Sequence, residues 1–124
     1  MEENILLLVL MILGHLLADY PLQGWLAQAK GKSYWENAEK QNKHDYIPAL
    51  VCHCAMWGIL VFLPITFFCD ELGLFWLALP INIAIHYVVD DLKANKKAIN
   101  LWQDQFAHLT QIFVTWVLYV LLIY

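Results

Sequence analysis

Leu74-Phe-Trp-Leu-Ala-Leu-Pro80-Ile-Asn82-Ile-Ala-Ile-His86-Tyr-Val-Val-Asp90-Asp91-Leu92-Lys93 sets the frame for the rest of the chain. It is close to the roughly 20 apolar residues that a helix needs to cross a bilayer. Near its far end it carries His86 and Asp90, four residues apart and so on one helix face. Three other stretches read the same way, giving spans of approximately 4–20, 47–69, 74–92 and 101–124. Tyr20-Pro21 ends the first, Pro48 fits the opening turn of the second, and Pro64 and Pro80 predict kinks. The composition agrees: 61% of 124 residues are hydrophobic and 15% charged, with mean hydropathy +0.55. A soluble domain this small cannot hide so much apolar surface. The expected fold is all-α, a polytopic membrane protein of four transmembrane helices in one bundle. Its start, Met1-Glu2-Glu3-Asn4, is acidic, unlike a signal peptide, and reads as the beginning of a retained span.

The connections divide by charge. Pro21 to Tyr46 is long and polar, with Trp25, Trp35, Lys30, Lys32, Lys40 and Lys43; it reads as an interfacial helix or a solvated loop. Lys93, Lys96 and Lys97 surround the short third connection, and Asp70-Glu71-Leu72-Gly73 is a tight acidic turn. Four spans place both Lys-bearing loops on one side, which the positive-inside rule makes cytoplasmic, leaving both termini outside an inner membrane. No basic run suggests nucleic acid. Trp and Tyr near helix ends (Tyr20, Trp25, Trp35, Tyr46, Trp102, Tyr124) form an aromatic belt. Cys52, Cys54 and Cys69 lack CxxC spacing and read as buried thiols. His44-Asp45 reads as a helix start with Asp45 near the N-cap.

Ionisable groups within spans cost about 2.5–3.5 kcal/mol each, and here they are ordered. His15/Asp19, His86/Asp90 and Asp104/His108 are each four apart, and His53 lies early in the second span. The topology brings all of them to the cytoplasmic ends of their helices. Two weak pseudo-repeats, 1–69 and 74–124, each place H-x-x-x-D on an inward helix and a His early on the next. Three carboxylates beside neutral imidazoles repel unless a cation joins them, so His15, Asp19, His53, His86, Asp90, Asp104 and His108 are candidate ligands of one or two divalent ions. A metal-free proton relay or hydrogen-bond network is the competing reading. The donors favour zinc, with manganese or iron as alternatives. Asp91 points about 100° from Asp90 around the helix. Gln23, Asn82, Lys93, Gln105 and Gln111 lie where substrate or ligand-orienting groups would sit.

His15-Leu-Leu-Ala-Asp19-Tyr-Pro-Leu-Gln23, His53, His86-Tyr-Val-Val-Asp90-Asp-Leu-Lys93 and Asp104-Gln105-Phe-Ala-His108 together resemble the bacterial and phage membrane family called domain of unknown function 3307. A looser resemblance runs to the YdjM-type membrane-bound metal-dependent hydrolases and, through them, to helical zinc-dependent phospholipases C and nucleases. That likeness implies metal-assisted hydrolysis of a phosphoester or lipid-like substrate at the cytoplasmic leaflet. The alternatives are a metal or proton transporter or sensor, and a small regulatory membrane subunit. The bilayer is the expected partner, with a homo-oligomer also compatible.

Overall fold

A computed structural model describes residues 2–39, 42–68 and 73–123. Among them every regular element is helical. Helix α1 spans Glu2–Asp19, α2 Leu26–Ala29, α3 Tyr46–Phe62, α4 Ile65–Phe68, α5 Gly73–Ala94 and α6 Leu101–Ile123, with a 3₁₀ turn over Lys32–Trp35 between α2 and α3. Cys69, the acidic turn at Asp70-Glu71-Leu72, Lys40 and Tyr124 lie outside the described residues.

Local chemistry accounts for the boundaries. Glu2 and Glu3 complement the positive end of α1, and Pro21 terminates it just past Asp19. Pro64 separates α3 from α4, while α5 runs straight through Pro80. Asp45 occupies the position before α3, but its side chain makes no capping hydrogen bond and its backbone is already helical. The strongest cap is one the sequence reading passed over. Asn100 Oδ1 accepts from Gln103 N, and Gln103 Oε1 accepts from Asn100 N, both at 3.0 Å. This is a reciprocal box at the start of α6. The long connection contains α2 and the 3₁₀ turn, not one interfacial helix. Gly24, at φ +47°, turns the chain into α2. Trp25, Tyr34 and Trp35 pack edge-to-face there, with Trp25 Nε1 donating to Tyr34 Oη at 3.0 Å.

The long helices close a ring in which α1 packs on α3, α3 on α5, α5 on α6 and α6 on α1. Gly14 lies against the Leu60 carbonyl and Gly58 against Ile83, so a side chain at either would collide with the neighbouring helix. Leu7, Met11, Trp57, Val61, Phe62 and Ile112 form the apolar core. The outer faces are also apolar: Ile5 and Val9 on α1, Ile59 on α3, Ile81 and Val88 on α5, and Phe113 and Leu118 on α6 are all exposed. Cys52 belongs to this outer face and is exposed, so of the two described cysteines only Cys54 is a buried thiol. By length and composition two segments, Tyr46–Phe68 and Leu101–Leu122, suffice to cross a membrane. The sequence reading expects four. α1 holds Glu2, Glu3 and Asp19 within its 18 residues.

Candidate metal centre

The last turn of α1, the first half of α3, the end of α5 and the start of α6 meet at the end of the bundle covered by α2. There His15, Asp19, His53, His86, Asp90, Asp104 and His108 are all buried. The helical register makes this possible: each i,i+4 pair faces inward while Leu16, Leu17, Val88 and Phe106 between them face outward.

Three donor atoms form a face. His53 Nε2 lies 3.4 Å from His86 Nε2 and 3.4 Å from Asp19 Oδ1, and His86 Nε2 lies 3.9 Å from Asp19 Oδ1. Zinc–ligand bonds of about 2.0–2.1 Å in a tetrahedral shell set donor-to-donor edges of about 3.3–3.4 Å. Two edges match and the third is slightly open. Asp19 Oδ1 is buried and has no hydrogen-bond partner. A second grouping, His86, Asp90 and His108, shares His86 with the first.

The remaining residues orient this face. Trp57 Nε1 donates to His15 Nδ1 at 2.9 Å. Because an indole only donates, the His15 proton sits on Nε2, which donates to Gln105 Oε1 at 3.1 Å. The Gln105 amide then donates to Asp19 Oδ2 at 3.3 Å and Asp104 Oδ2 at 3.0 Å. Both His15 nitrogens are therefore engaged, and in this arrangement it offers no lone pair to an ion. It fixes Asp19 instead, a role its spacing from Asp19 did not reveal. On the other side, His86 Nδ1 and His108 Nδ1 are 3.0 Å apart, and His108 Nε2 lies 3.3 Å from Asp90 Oδ1 and 3.4 Å from Asp104 Oδ1. One direction of donation satisfies these contacts with both rings neutral. His108 Nε2–H donates to Asp90 Oδ1, with Asp104 Oδ1 nearby but not hydrogen-bonded, and His86 Nδ1–H donates to His108. His86 Nε2 is left with its lone pair on the open face. Trp57 also stacks on His86, with ring centroids 4.1 Å apart.

Charge within the cluster differs from the sequence expectation of three carboxylates needing one cation. Lys30 Nζ lies 2.6 Å from Asp90 Oδ2, and Lys93 Nζ lies 2.6 Å from Asp104 Oδ2. Two of the three carboxylates thus have ammonium partners, because α2 delivers Lys30 inward and Lys93 bends back along α5. The argument for a cation now rests on Asp19. Asp91 lies outside the cluster, paired with Lys96 at 3.3 Å and Asn95 at 2.9 Å. Gln23 Nε2 donates to the Asp19 backbone carbonyl. Asn82 and Gln111 bond to each other at 2.8 Å and Thr115 joins Asn82 at 3.0 Å, a separate polar knot deeper in the bundle. Sequence reasoning missed Lys30 and Trp57. Trp57 had a signal, since it lies four residues past His53; Lys30 in its loop had none.

Fold and site together define a small helical bundle with a buried histidine–aspartate centre at one end. The chain belongs to the family described as Protein of unknown function (DUF3307), whose family model matches residues 7–123. No curated protein and no solved structure matches it significantly.

Proposed function

We propose that the chain is a membrane-embedded metal-binding protein that hydrolyses a phosphoester or lipid-like substrate at the cytoplasmic leaflet. One observation carries the reading: the Asp19 Oδ1, His53 Nε2 and His86 Nε2 face, with edges of 3.4, 3.4 and 3.9 Å and a carboxylate oxygen lacking any hydrogen bond. Three protein donors leave a further coordination position open, the pattern of catalytic rather than structural zinc sites. Zinc bound there would supply Lewis acidity and acidify a water molecule; manganese or iron suits the same donors less closely. The chain's own residues supply the rest. Asp90 and Asp104 hold His108, and through it His86, in one orientation. They also accept a proton passed along that pair. Lys93, one-third exposed, is placed to meet an anionic group entering from the surface.

Membrane placement in four spans is part of this proposal. It is supported by apolar residues exposed on every long helix, the reverse of a water-facing surface. Polar groups meanwhile collect inside the bundle, as they do in lipid. The Lys-bearing loops then face the cytoplasm and both termini lie outside. A second reading, a metal-free proton relay, is favoured by the ammonium partners of Asp90 and Asp104. Hydrolysis of a phospholipid or chromogenic phosphodiester by detergent-purified protein separates the two. The proposal expects turnover that a chelator abolishes, zinc restores and His86→Ala eliminates. Turnover indifferent to chelator and to His86→Ala would refute it.

A further inference from the structure

Lys30 occupies a position that the metal reading needs vacated. Its ammonium lies 3.1 Å from His53 Nε2 as well as 2.6 Å from Asp90 Oδ2, and the side chain is only 12% exposed. Asp90 Oδ2 also lies 3.1 Å from His53 Nε2; in the tautomer protonated at Nδ1, Nε2 has one lone pair in the plane of the ring. An ammonium proton and a metal ion cannot both take it. The segment that carries Lys30 packs on α3 and is tied to its surroundings by hydrogen bonds to its backbone. Ala29 is buried against the bundle, and Asn95 on the last turn of the structure beyond α5 grips the loop, accepting from Lys32 N at 2.8 Å and donating to the Lys30 carbonyl at 3.3 Å. Trp35 Nε1 donates to the Ala29 carbonyl at 2.8 Å, tying α2 to the 3₁₀ turn. These hydrogen bonds hold backbone groups, so the Lys30 side chain can leave Asp90 without breaking them.

We propose that Lys30 is a tethered cation that closes the centre in the metal-free protein, and that a divalent ion enters by displacing it. The inference rests on the metal reading above and adds its regulation. Before displacement the ammonium neutralises Asp90 and blocks His53. Afterwards the ion serves both, and the ammonium moves to the mouth beside the open coordination position, where it faces an incoming anionic group. Metal occupancy and the position of the Lys30 side chain then become one equilibrium, so each biases the other.

The test uses the full chain in detergent, with zinc as the probe. Zinc titration of wild type beside Lys30→Met is expected to show the same stoichiometry and an affinity about tenfold or more higher in the variant, because no ammonium competes. In wild type, acylation of Lys30 by an amine-selective reagent, read by peptide mass spectrometry, is expected to be slow without zinc and several-fold faster with it. This second measurement needs no variant and survives a failure of Lys30→Met to fold. Equal affinities or labelling of Lys30 unaffected by bound zinc would overturn the displacement while leaving the metal reading standing. Absence of zinc binding in both proteins would overturn the metal reading and this inference together.

Discussion

His15 and His86 precede their aspartates by the same four residues, yet their surroundings separate their roles. Nothing local distinguishes H-x-x-x-D at the two positions. The difference comes from Trp57 and Gln105, 42 and 90 residues away from His15, which use both of its nitrogens. His86 keeps Nε2 free because its other nitrogen is held by His108. Trp57→Phe tests this, keeping an aromatic ring against His86 but removing the donor to His15. Zinc affinity measured by titration should fall by about 10- to 100-fold, the usual effect of losing a group that orients a ligand chain. An unchanged affinity would separate the Trp57–His15–Gln105 chain from the centre. The i,i+4 pairs were legible because helical periodicity is a local property of sequence. Lys30 was not, because it reaches Asp90 only through tertiary packing; Trp57 shares the face of His53 by the same spacing, but its bond to His15 on another helix is not a local property.

At the scale of elements, the site depends on how closely α1 approaches α3. Asp19 is the last residue of α1 and His53 lies in the second turn of α3, 3.4 Å apart, and Gly14 against the Leu60 carbonyl lets the same two helices approach closely. Gly14→Val is expected to force the helices apart, destabilise the protein by about 1–3 kcal/mol and weaken metal binding. Thermal unfolding with and without zinc would show a lower midpoint and a smaller zinc-induced rise. Removing the Asn100–Gln103 box by Asn100→Ala serves as the contrast. It should cost about 1 kcal/mol by the same assay while the zinc-induced rise persists, since the box touches no donor atom. The four long helices were readable from apolar run length and from Pro21, Pro48 and Pro64. The split of the long connection into α2 and a 3₁₀ turn was not, because neither is long enough to show a period. Asp45 illustrates the same limit: its residue type suggested a cap that the backbone geometry does not form.

For the molecule as a whole, an apolar outer surface with the ionisable groups turned inward is what lipid selects. Two segments meet the length and composition expected of a membrane-crossing helix. The exposed apolar faces of α1 and α5 are what supports the proposal of four. Thiol labelling checks it in a background lacking Cys52, Cys54 and Cys69. Cysteines at Ser33 and Lys97 should react with an impermeant reagent only after the cells are opened, and one at Glu3 before. Labelling of Ser33 and Lys97 from opposite sides would exclude four spans. The formal charge of −4 could not have located the site; the four-residue His/Asp spacing did, while the Lys distribution was read for topology, and both Lys30 and Lys93 reach inward to carboxylates.

Metal content measured on the purified protein tests the centre most directly, by elemental analysis of wild type, His53→Ala, His86→Ala and the loop variant His44→Ala after equilibration with zinc and removal of excess. About one ion per chain is expected in wild type and His44→Ala, with loss from His53→Ala and His86→Ala. Wild type free of metal, or His53→Ala and His86→Ala retaining it in full, would contradict the account.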